Sequence, residues 1–512
     1  MRALLLLLGT VVCGFAAEKP NIVFILADDL GIGDVRAFNK DSKIATPNLD
    51  RLAAGGMKFA DAHTPSAVCT PTRYGLLTGR YNWRSRLQSG VLGGLSPRLI
   101  EPGRITVAAM LKEQGYATAV VGKWHLGLDW VKHEGKAVNE LDIETGAQND
   151  SVDFTKPFAN GPLTLGFDYF FGIAASLDMV PYTFLENDRC TIIPTETNRY
   201  PMMADRADGP QTRKGPAAPG FDAVHVLPKC TAKATEWIAA QAKGEKPFFL
   251  YMPLNAPHTP SVPSAEFAGK SGLNSYADFV MQTDATVGAV LDALEKSGVA
   301  DKTLIVFTSD NGCSPQARIP ELRAQGHDPC WGLRGTKADL WEGGHRVPFI
   351  VRWPGKVKAA AESAQLVCLT DFFATCAELT GAKIPDTAAE DSVSFLPALL
   401  GNTGGRDTLV SHSIAGHFAI RKGSMKLCLT PGSGGWSGPR PNAPAAAKLP
   451  PTQLYDLATD RAETKNFGFE RESEVQALTA LLEKFIADGR STPGAPQKNA
   501  VEVQIHKAAK GK

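Results

Sequence analysis

Short apolar runs that end abruptly in polar or glycine-rich clusters recur along the chain, with helical spacing between them. Asn21-Ile22-Val23-Phe24-Ile25-Leu26-Ala27 is continuous rather than alternating and rich in β-branched residues. It predicts a strand covered on both faces, as in parallel sheets. The runs at 116–121, 247–252, 303–309 and 349–354 repeat the pattern. Residues 44–53 predict an entry turn and an amphipathic helix, and 105–114, 231–243 and 366–379 predict further helices. This alternation predicts an α/β fold: a large mixed, mostly parallel sheet with helices on both faces. The tone changes after about residue 385. Phe418-Ala419-Ile420-Arg421 and Met425-Lys426-Leu427-Cys428-Leu429 flank Lys422-Gly423, a hairpin signal. A loop rich in Gly, Pro and Ala over 431–451 follows, then a short run at 454–457 and a closing helix over 472–487. The basic tail over 493–512 is expected to be disordered.

The first seventeen residues read as a secretory leader. Arg2 supplies the positive end, Leu4 to Leu8 and the valines after them the apolar run, and Gly14-Phe15-Ala16-Ala17 a small-residue exit. A lipoprotein reading at Cys13 is weaker, because Val12 is bulky where a small residue is preferred. The protein is therefore expected to be exported, to the periplasm or medium in a bacterium or through the secretory pathway, lysosome included, in a eukaryote. No later segment is long and apolar enough to span a membrane. The expected organisation is a leader (1–17), a catalytic domain (18–400), a C-terminal subdomain (401–492) and the tail. A formal net charge of +1 over 512 residues gives no field that would recruit nucleic acid or an anionic membrane. Of nine cysteines, removal of Cys13 leaves eight, and seven if Cys69 is modified. Export permits disulfides, with Cys190–Cys230 or Cys313–Cys330 conceivable, and buried free thiols are the alternative.

Candidate chemistry gathers in a few strings. In Val68-Cys69-Thr70-Pro71-Thr72-Arg73 the proline suits a first helical turn, which places Cys69 at a helix mouth favourable to anions. Arg73 returns to the same face one turn on. An inert buried cysteine is the competing reading. The strand at 21–27 ends in Asp28-Asp29, and that at 303–309 in Asp310-Asn311-Gly312. Each could be a capped turn. Together, at neighbouring strand ends, they would offer four oxygen-bearing side chains, suited to Ca²⁺ or Mg²⁺ rather than zinc. Gly122-Lys123-Trp124-His125 pairs an ammonium with an imidazole on one side of an extended chain, either a solvated edge or a group that neutralises an anion and moves a proton. His258 lies between prolines at another strand end, and Lys337 in a glycine-rich loop before Trp341-Glu342-Gly343-Gly344-His345. Asp178 falls on a loop that could line a pocket or simply pack.

These strings, in this order, resemble the type I sulfatases of the alkaline phosphatase superfamily. Cys69-Thr70-Pro71-Thr72-Arg73 with Leu77-Thr78-Gly79-Arg80 is similar to their Cys-x-Pro-x-Arg signature, and Thr46-Pro47-Asn48-Leu49-Asp50, Gly122-Lys123-Trp124-His125, Gly166-Phe167-Asp168 and Pro257-His258-Thr259-Pro260 to further landmarks. The resemblance runs from Asn21 to about Asn466 and implies an alkaline-phosphatase-like fold with a small C-terminal antiparallel sheet and one helix. It implies hydrolysis of a sulfate monoester, with arylsulfatase activity and possible sulfated-saccharide substrates. Cys69 would be oxidised to formylglycine by a separate formylglycine-generating or anaerobic sulfatase-maturating enzyme, and the aldehyde hydrate would be the nucleophile. Calcium, with magnesium second, would be held by Asp28, Asp29, Asp310, Asn311 and the modified Cys69. Arg73 would hold the hydrate, Lys123, His258 and Lys337 would bind sulfate, His125 would take the proton of the hydrate, and His258 would protonate the leaving alcohol. Two departures stand out: Ala338-Asp339-Leu340 follow the lysine where many relatives have glycine, and His345 replaces a commoner apolar residue. His345, with Asp178, is expected to touch the substrate, and the two departures are expected to mark a carbohydrate-directed subgroup. The alternatives are a phosphonate or phosphate diester hydrolase of the same superfamily and a non-catalytic glycan-binding relative.

Overall fold

The computed structural model describes residues 19–441 and 443–507. The leader at 1–17 lies outside the described residues. Ten strands form the main sheet, in the order Ala361–Ser363, Met57–Phe59, Phe349–Arg352, Thr303–Ser309, Asn21–Asp28, Phe248–Pro257, Ala117–Lys123, Tyr169–Ile173, Leu185–Glu186 and Arg189–Cys190. The five central strands, from Thr303–Ser309 to Tyr169–Ile173, all run parallel, and antiparallel pairs appear only towards the edges. Every residue of Asn21–Asp28, Phe248–Pro257 and Thr303–Ser309 is buried, which is why the middle of each run is continuously apolar instead of alternating.

Both faces of the sheet are covered. Phe248 and Phe249, adjacent on one strand, point to opposite faces. Phe248 meets Trp237 of the helix Val226–Gln241 at 5.6 Å between ring centroids. Phe249 meets Phe372 of the helix Phe372–Thr380 at 5.9 Å, and Phe372 also packs on Phe24 at 4.5 Å. A separate four-stranded antiparallel sheet follows, in the order Thr408–His412, Phe418–Lys422, Met425–Cys428, Gln453–Asp456. The helix Glu472–Ala487 closes it, setting Leu478 and Leu482 against Val410, Ile420, Leu427 and Leu454.

Three expectations are corrected. The stretch 366–379 is not one helix: Val367–Cys368 pairs as a short parallel strand with Ala62–His63, and the helix begins only at Phe372. All eight described cysteines are free and buried, so neither Cys190–Cys230 nor Cys313–Cys330 is bridged. Burial pushes the thiols of Cys190, Cys230 and Cys330 up to about 12, which keeps them protonated and inert. The tail from 493 to 507 is not loose. Arg80 donates to the Lys498 carbonyl at 2.8 Å, Arg84 to Asn499 Oδ1 at 3.0 Å, and the Ala500 amide to the Arg84 carbonyl at 2.7 Å. Composition signalled solvation, but the buried guanidinium groups of Arg80 and Arg84 need acceptors, and this segment supplies them. Among the described residues no helix is long and apolar enough to cross a membrane.

Candidate active site

Asn21–Asp28 and Thr303–Ser309 are neighbours in parallel register, with Ala27 opposite Ser309, so both polar tips emerge at the same level of the same sheet edge. The Asp310 amide donates to the Ala27 carbonyl at 3.0 Å, and the Asp29 amide to Asp310 Oδ1 at 3.3 Å. Asp29 adopts φ +66°, a turn that swings its carboxylate back over the strand ends, and Asn311 Nδ2 donates to Asp29 Oδ1 at 2.7 Å. Asp28, Asp29, Asp310 and Asn311 thus form one buried cluster.

The helix Cys69–Thr78 points its N-terminal turn at this cluster. Val68 is extended and Cys69 is the first helical residue, so the proline at position three of the helix loses no intrahelical bond. One turn on, the buried Arg73 guanidinium forks between the two strand ends, donating to Asp310 Oδ2 at 2.8 Å and to Asp28 Oδ2 at 3.2 Å. Its remaining arm donates to the Lys123 carbonyl at 2.8 Å, which ties the helix to a third strand. Lys123 ends Ala117–Lys123 and donates to Asp28 Oδ2 at 2.5 Å. Lys337 donates to Asp29 Oδ2 at 2.9 Å, and His258 Nε2 lies 3.7 Å from that oxygen. The His125 imidazole touches the Leu92 carbonyl through Nε2 at 2.8 Å, leaving Nδ1 buried without a partner.

The electrostatics follow from burial and these charges. Burial opposes ionisation of Asp28, but Lys123, His258, Arg73 and Lys337 outweigh it and hold the carboxyl far below the usual range. Asp310 moves the other way, to about 7, because burial and the Asp28 charge outweigh Arg73. Burial pushes the Cys69 thiol up despite Lys123 and Lys337, so an unmodified sulfhydryl here stays protonated. Burial, then Lys123 and Arg73, lowers His125; burial, then Lys337, lowers His258; both imidazoles are neutral at pH 7.

The donor set fits a hard divalent cation. Its groups are carboxylate and amide oxygens, and two of them, Asp28 Oδ1 and Asn311 Oδ1, are buried without any hydrogen-bond partner. Because Asn311 Nδ2 is committed to Asp29 and to the Gly312 carbonyl, its amide oxygen is the atom left facing the cluster. Asp28, Asp29 and His258 also bring potential ligand atoms within 4.8 Å of one another. Charge is consistent with this: three carboxylates lie against Arg73, Lys123 and Lys337. A cation that takes the acids releases the two lysines to face an anion.

The twelve sequence-selected residues are not all brought together. His345 is not at this site: its Nδ1 lies 3.0 Å from His63 Nδ1, and its Nε2 lies 3.0 Å from both the Leu340 carbonyl and Lys426 Nζ. The imidazole is spent in a buried network with Glu342, Arg346 and Glu463 between the two sheets, so the expected substrate contact is withdrawn. Asp178 stays near: its neighbour Met179 packs in the apolar cluster that contains Cys69, and its carboxylate pairs with Arg213 at 2.8 Å. Sequence reasoning missed Glu144, whose carboxylate accepts from the Gly94 and Val180 amides at 3.0 Å each and joins two loops beside the site. It sits in an irregular stretch with no periodicity to mark it. Trp436 was passed over too, although an isolated tryptophan in a glycine-rich loop was a usable signal.

The chain as a whole is similar to known proteins. The sulfatase family model matches residues 20–382. The chain is 36% identical to the N-acetylgalactosamine-6-O-sulfatase of Bacteroides thetaiotaomicron, over 92% of this chain and 94% of that protein. It is 34% identical to arylsulfatase A of Bos taurus, over 91% of this chain and 87% of that one. A solved structure from work on the metabolism of multiple glycosaminoglycans by Bacteroides thetaiotaomicron superposes with a TM-score of 0.77 at 34% identity, covering 91% of this chain and 99% of that chain. With matches spanning nearly the whole described chain, and with the signature cysteine at the mouth of a helix that faces the acid cluster, the protein belongs to the sulfatase family, whose named relatives are sulfuric ester hydrolases.

Proposed function

We propose that this sulfatase removes sulfate from a saccharide, with 6-O-sulfated N-acetylhexosamine the first substrate to test, using formylglycine at position 69 and a calcium ion at Asp28, Asp29, Asp310 and Asn311. The saccharide reading draws on the N-acetylgalactosamine-6-O-sulfatase similarity. One observation carries the chemistry: Cys69 begins a helix aimed at a buried cluster where four oxygen-bearing side chains meet two lysines and two neutral histidines. Calcium in this cluster would supply positive charge for a sulfate oxygen and acidify a bound hydroxyl. Formylglycine hydrate at position 69 would supply the attacking hydroxyl and a second hydroxyl through which sulfate is released. The residues of the chain do the rest. Lys123 and Lys337 offset the sulfate charge, and Arg73 fixes the helix mouth against the acids. His258, neutral in the empty site, would take up a proton beside the bound sulfate anion and serve as the acid towards the leaving alcohol. His125, with Nδ1 free and its pKa lowered, is ready to accept a proton. Magnesium is a second choice of ion, because packed carboxylates and an amide suit the looser calcium shell better. Maturation by a formylglycine-forming enzyme and export through the leader belong to the same proposal.

The test is intact-mass analysis of protein coexpressed with a maturating enzyme, followed by assays on aryl sulfate and a panel of sulfated saccharides. The Cys69 peptide should carry an aldehyde. Turnover should vanish on chelation, return with calcium, and be absent from Cys69→Ala. Matured, calcium-loaded protein that cleaves no sulfate ester would overturn the proposal, and preference for an aryl phosphate diester would favour the phosphoryl hydrolase.

A further inference from the structure

The sulfate-handling groups are buried, so whatever carries the sulfate must rest on the rim above them. Cys69 packs there in an apolar cluster with Val68, Val91, Ala175, Met179 and Ala338, and the half-buried Ile143, Ile414 and Trp436 lie against it. Trp436 comes from the other end of the chain, on the glycine-rich loop of the C-terminal subdomain, and it is pinned tightly. Asp339, two residues after Lys337, accepts from the Trp436 amide at 2.8 Å and from the Ser437 amide at 3.0 Å. The Leu340 amide donates to the Ser433 carbonyl at 2.8 Å, and a Cβ on Gly435 would stand 2.2 Å from the Ala338 carbonyl oxygen, so only glycine admits this approach. Ala338 in turn donates to the Ala67 carbonyl at 2.8 Å and accepts from Ile414. The Trp436 backbone is therefore fixed relative to Lys337, and its side chain packs on the cluster that contains Cys69. On the same cluster, beside Met179, Asp178 keeps Oδ1 buried and unpartnered while Oδ2 holds the part-exposed Arg213.

We propose that Trp436 is the platform against which the sugar ring of the substrate packs, with Asp178 and Arg213 taking its hydroxyls, so that specificity for a saccharide comes from the C-terminal subdomain. This rests on the saccharide reading above. A pyranose presents one face of C–H bonds, which suits an indole, and a rim of hydroxyls, which suits a carboxylate and a guanidinium. Asp339, singled out in sequence only as part of the stretch Ala338-Asp339-Leu340 after Lys337, is then a positioning residue that holds the backbone at the tryptophan.

The experiment compares matured, calcium-loaded wild type with Trp436→Ala, Trp436→Leu and Trp436→Phe. The probes are N-acetylgalactosamine 6-sulfate as substrate and inorganic sulfate as competitor. In the Ala and Leu variants KM for the sugar should rise about tenfold with kcat little changed, the scale of one aromatic contact, and Phe should recover most of it. The inhibition constant of inorganic sulfate should not move, since the sulfate site is untouched. Leu keeps the apolar bulk, so a folding defect in Ala alone does not mimic the result. An unchanged KM, or a sulfate inhibition constant that rises in step with it, overturns the proposal. Wild type that cleaves aryl sulfate but not the sugar overturns the platform alone; wild type that cleaves neither overturns the sulfatase chemistry beneath it.

Discussion

Lys337 reaches Asp29 from a loop whose sequence marks it as an ordinary solvated lysine, yet the side chain is buried and its ammonium lies 2.7 Å from one carboxylate oxygen and 2.9 Å from the other. Burial would lower its pKa, but the Asp29 and Asp28 charges hold it well above the usual lysine range, so the side chain is charged at pH 7. A fixed charge beside a developing anion is worth most in a water-poor site, and Lys337→Ala should lower kcat/KM by about 10²–10³-fold with calcium binding retained. Steady-state kinetics and a calcium titration on the same preparation check this; full activity would place the sulfate elsewhere. Residues of this kind were legible because they stand in strings with fixed spacing. His345 stands in such a string too and misleads, because adjacency to Glu342 along the chain says nothing of which side of a four-residue helix faces the acids. Its neighbours His63 and Lys426 are 282 and 81 residues distant, beyond the reach of any local pattern.

Secondary elements carry the site by where they end. The central strands were legible because full burial writes them as unbroken apolar runs, and the final helix because its start and finish coincide with a clear change of periodicity. The piece before Phe372 was not legible, since Val367–Cys368 is apolar for the sake of a two-residue pairing and runs through the 3-10 turn Leu369–Asp371 straight into the helix, with only Thr370 and Asp371 to mark the change. The turn after Thr303–Ser309 makes the sharpest demand on sequence. Gly312 donates to the Gly344 carbonyl at 3.0 Å, and a Cβ there would stand 1.9 Å from the Gly343 carbonyl oxygen. Gly312→Ala must therefore push the Gly343-Gly344 turn and the Asn311 amide apart. Because supporting contacts of a metal ligand commonly matter by one or two decades, calcium affinity should fall about tenfold or more. Calorimetric titration measures it, and an unaltered affinity would show that the turn yields without disturbing Asn311.

At the scale of the molecule, the two sheets are joined at the loop that leads into Cys69. The Ala67 amide donates to the His412 carbonyl at 2.9 Å, and Ser66 Oγ to the same oxygen, so the first strand of the small sheet braces the residues just before Cys69. The His412 side chain is buried under Phe418, with Asn82 Nδ2 3.2 Å from Nδ1 and with Nε2 unpartnered. Burial, then the Lys507 charge, lowers its pKa from 6.5 to about 3, and the same causes lower His417 to about 4. In both cases the folded state favours the neutral ring. Above pH 6.5 neither state takes up the proton and the stabilisation is complete; below it the unfolded chain binds protons that the folded chain refuses, so stability falls as the pH drops towards 4. For His412 the loss by pH 4 is about 3 kcal/mol, taking 1.36 kcal/mol per pH unit. Carboxylates add their own acid dependence, so the informative quantity is a difference. Thermal melting between pH 7.5 and pH 4 should show a shallower decline for His412→Gln than for wild type, whatever their offset at pH 7.5. Parallel curves would mean that the ring accepts its proton without leaving the seam, and the brace behind Cys69 would then be insensitive to acid.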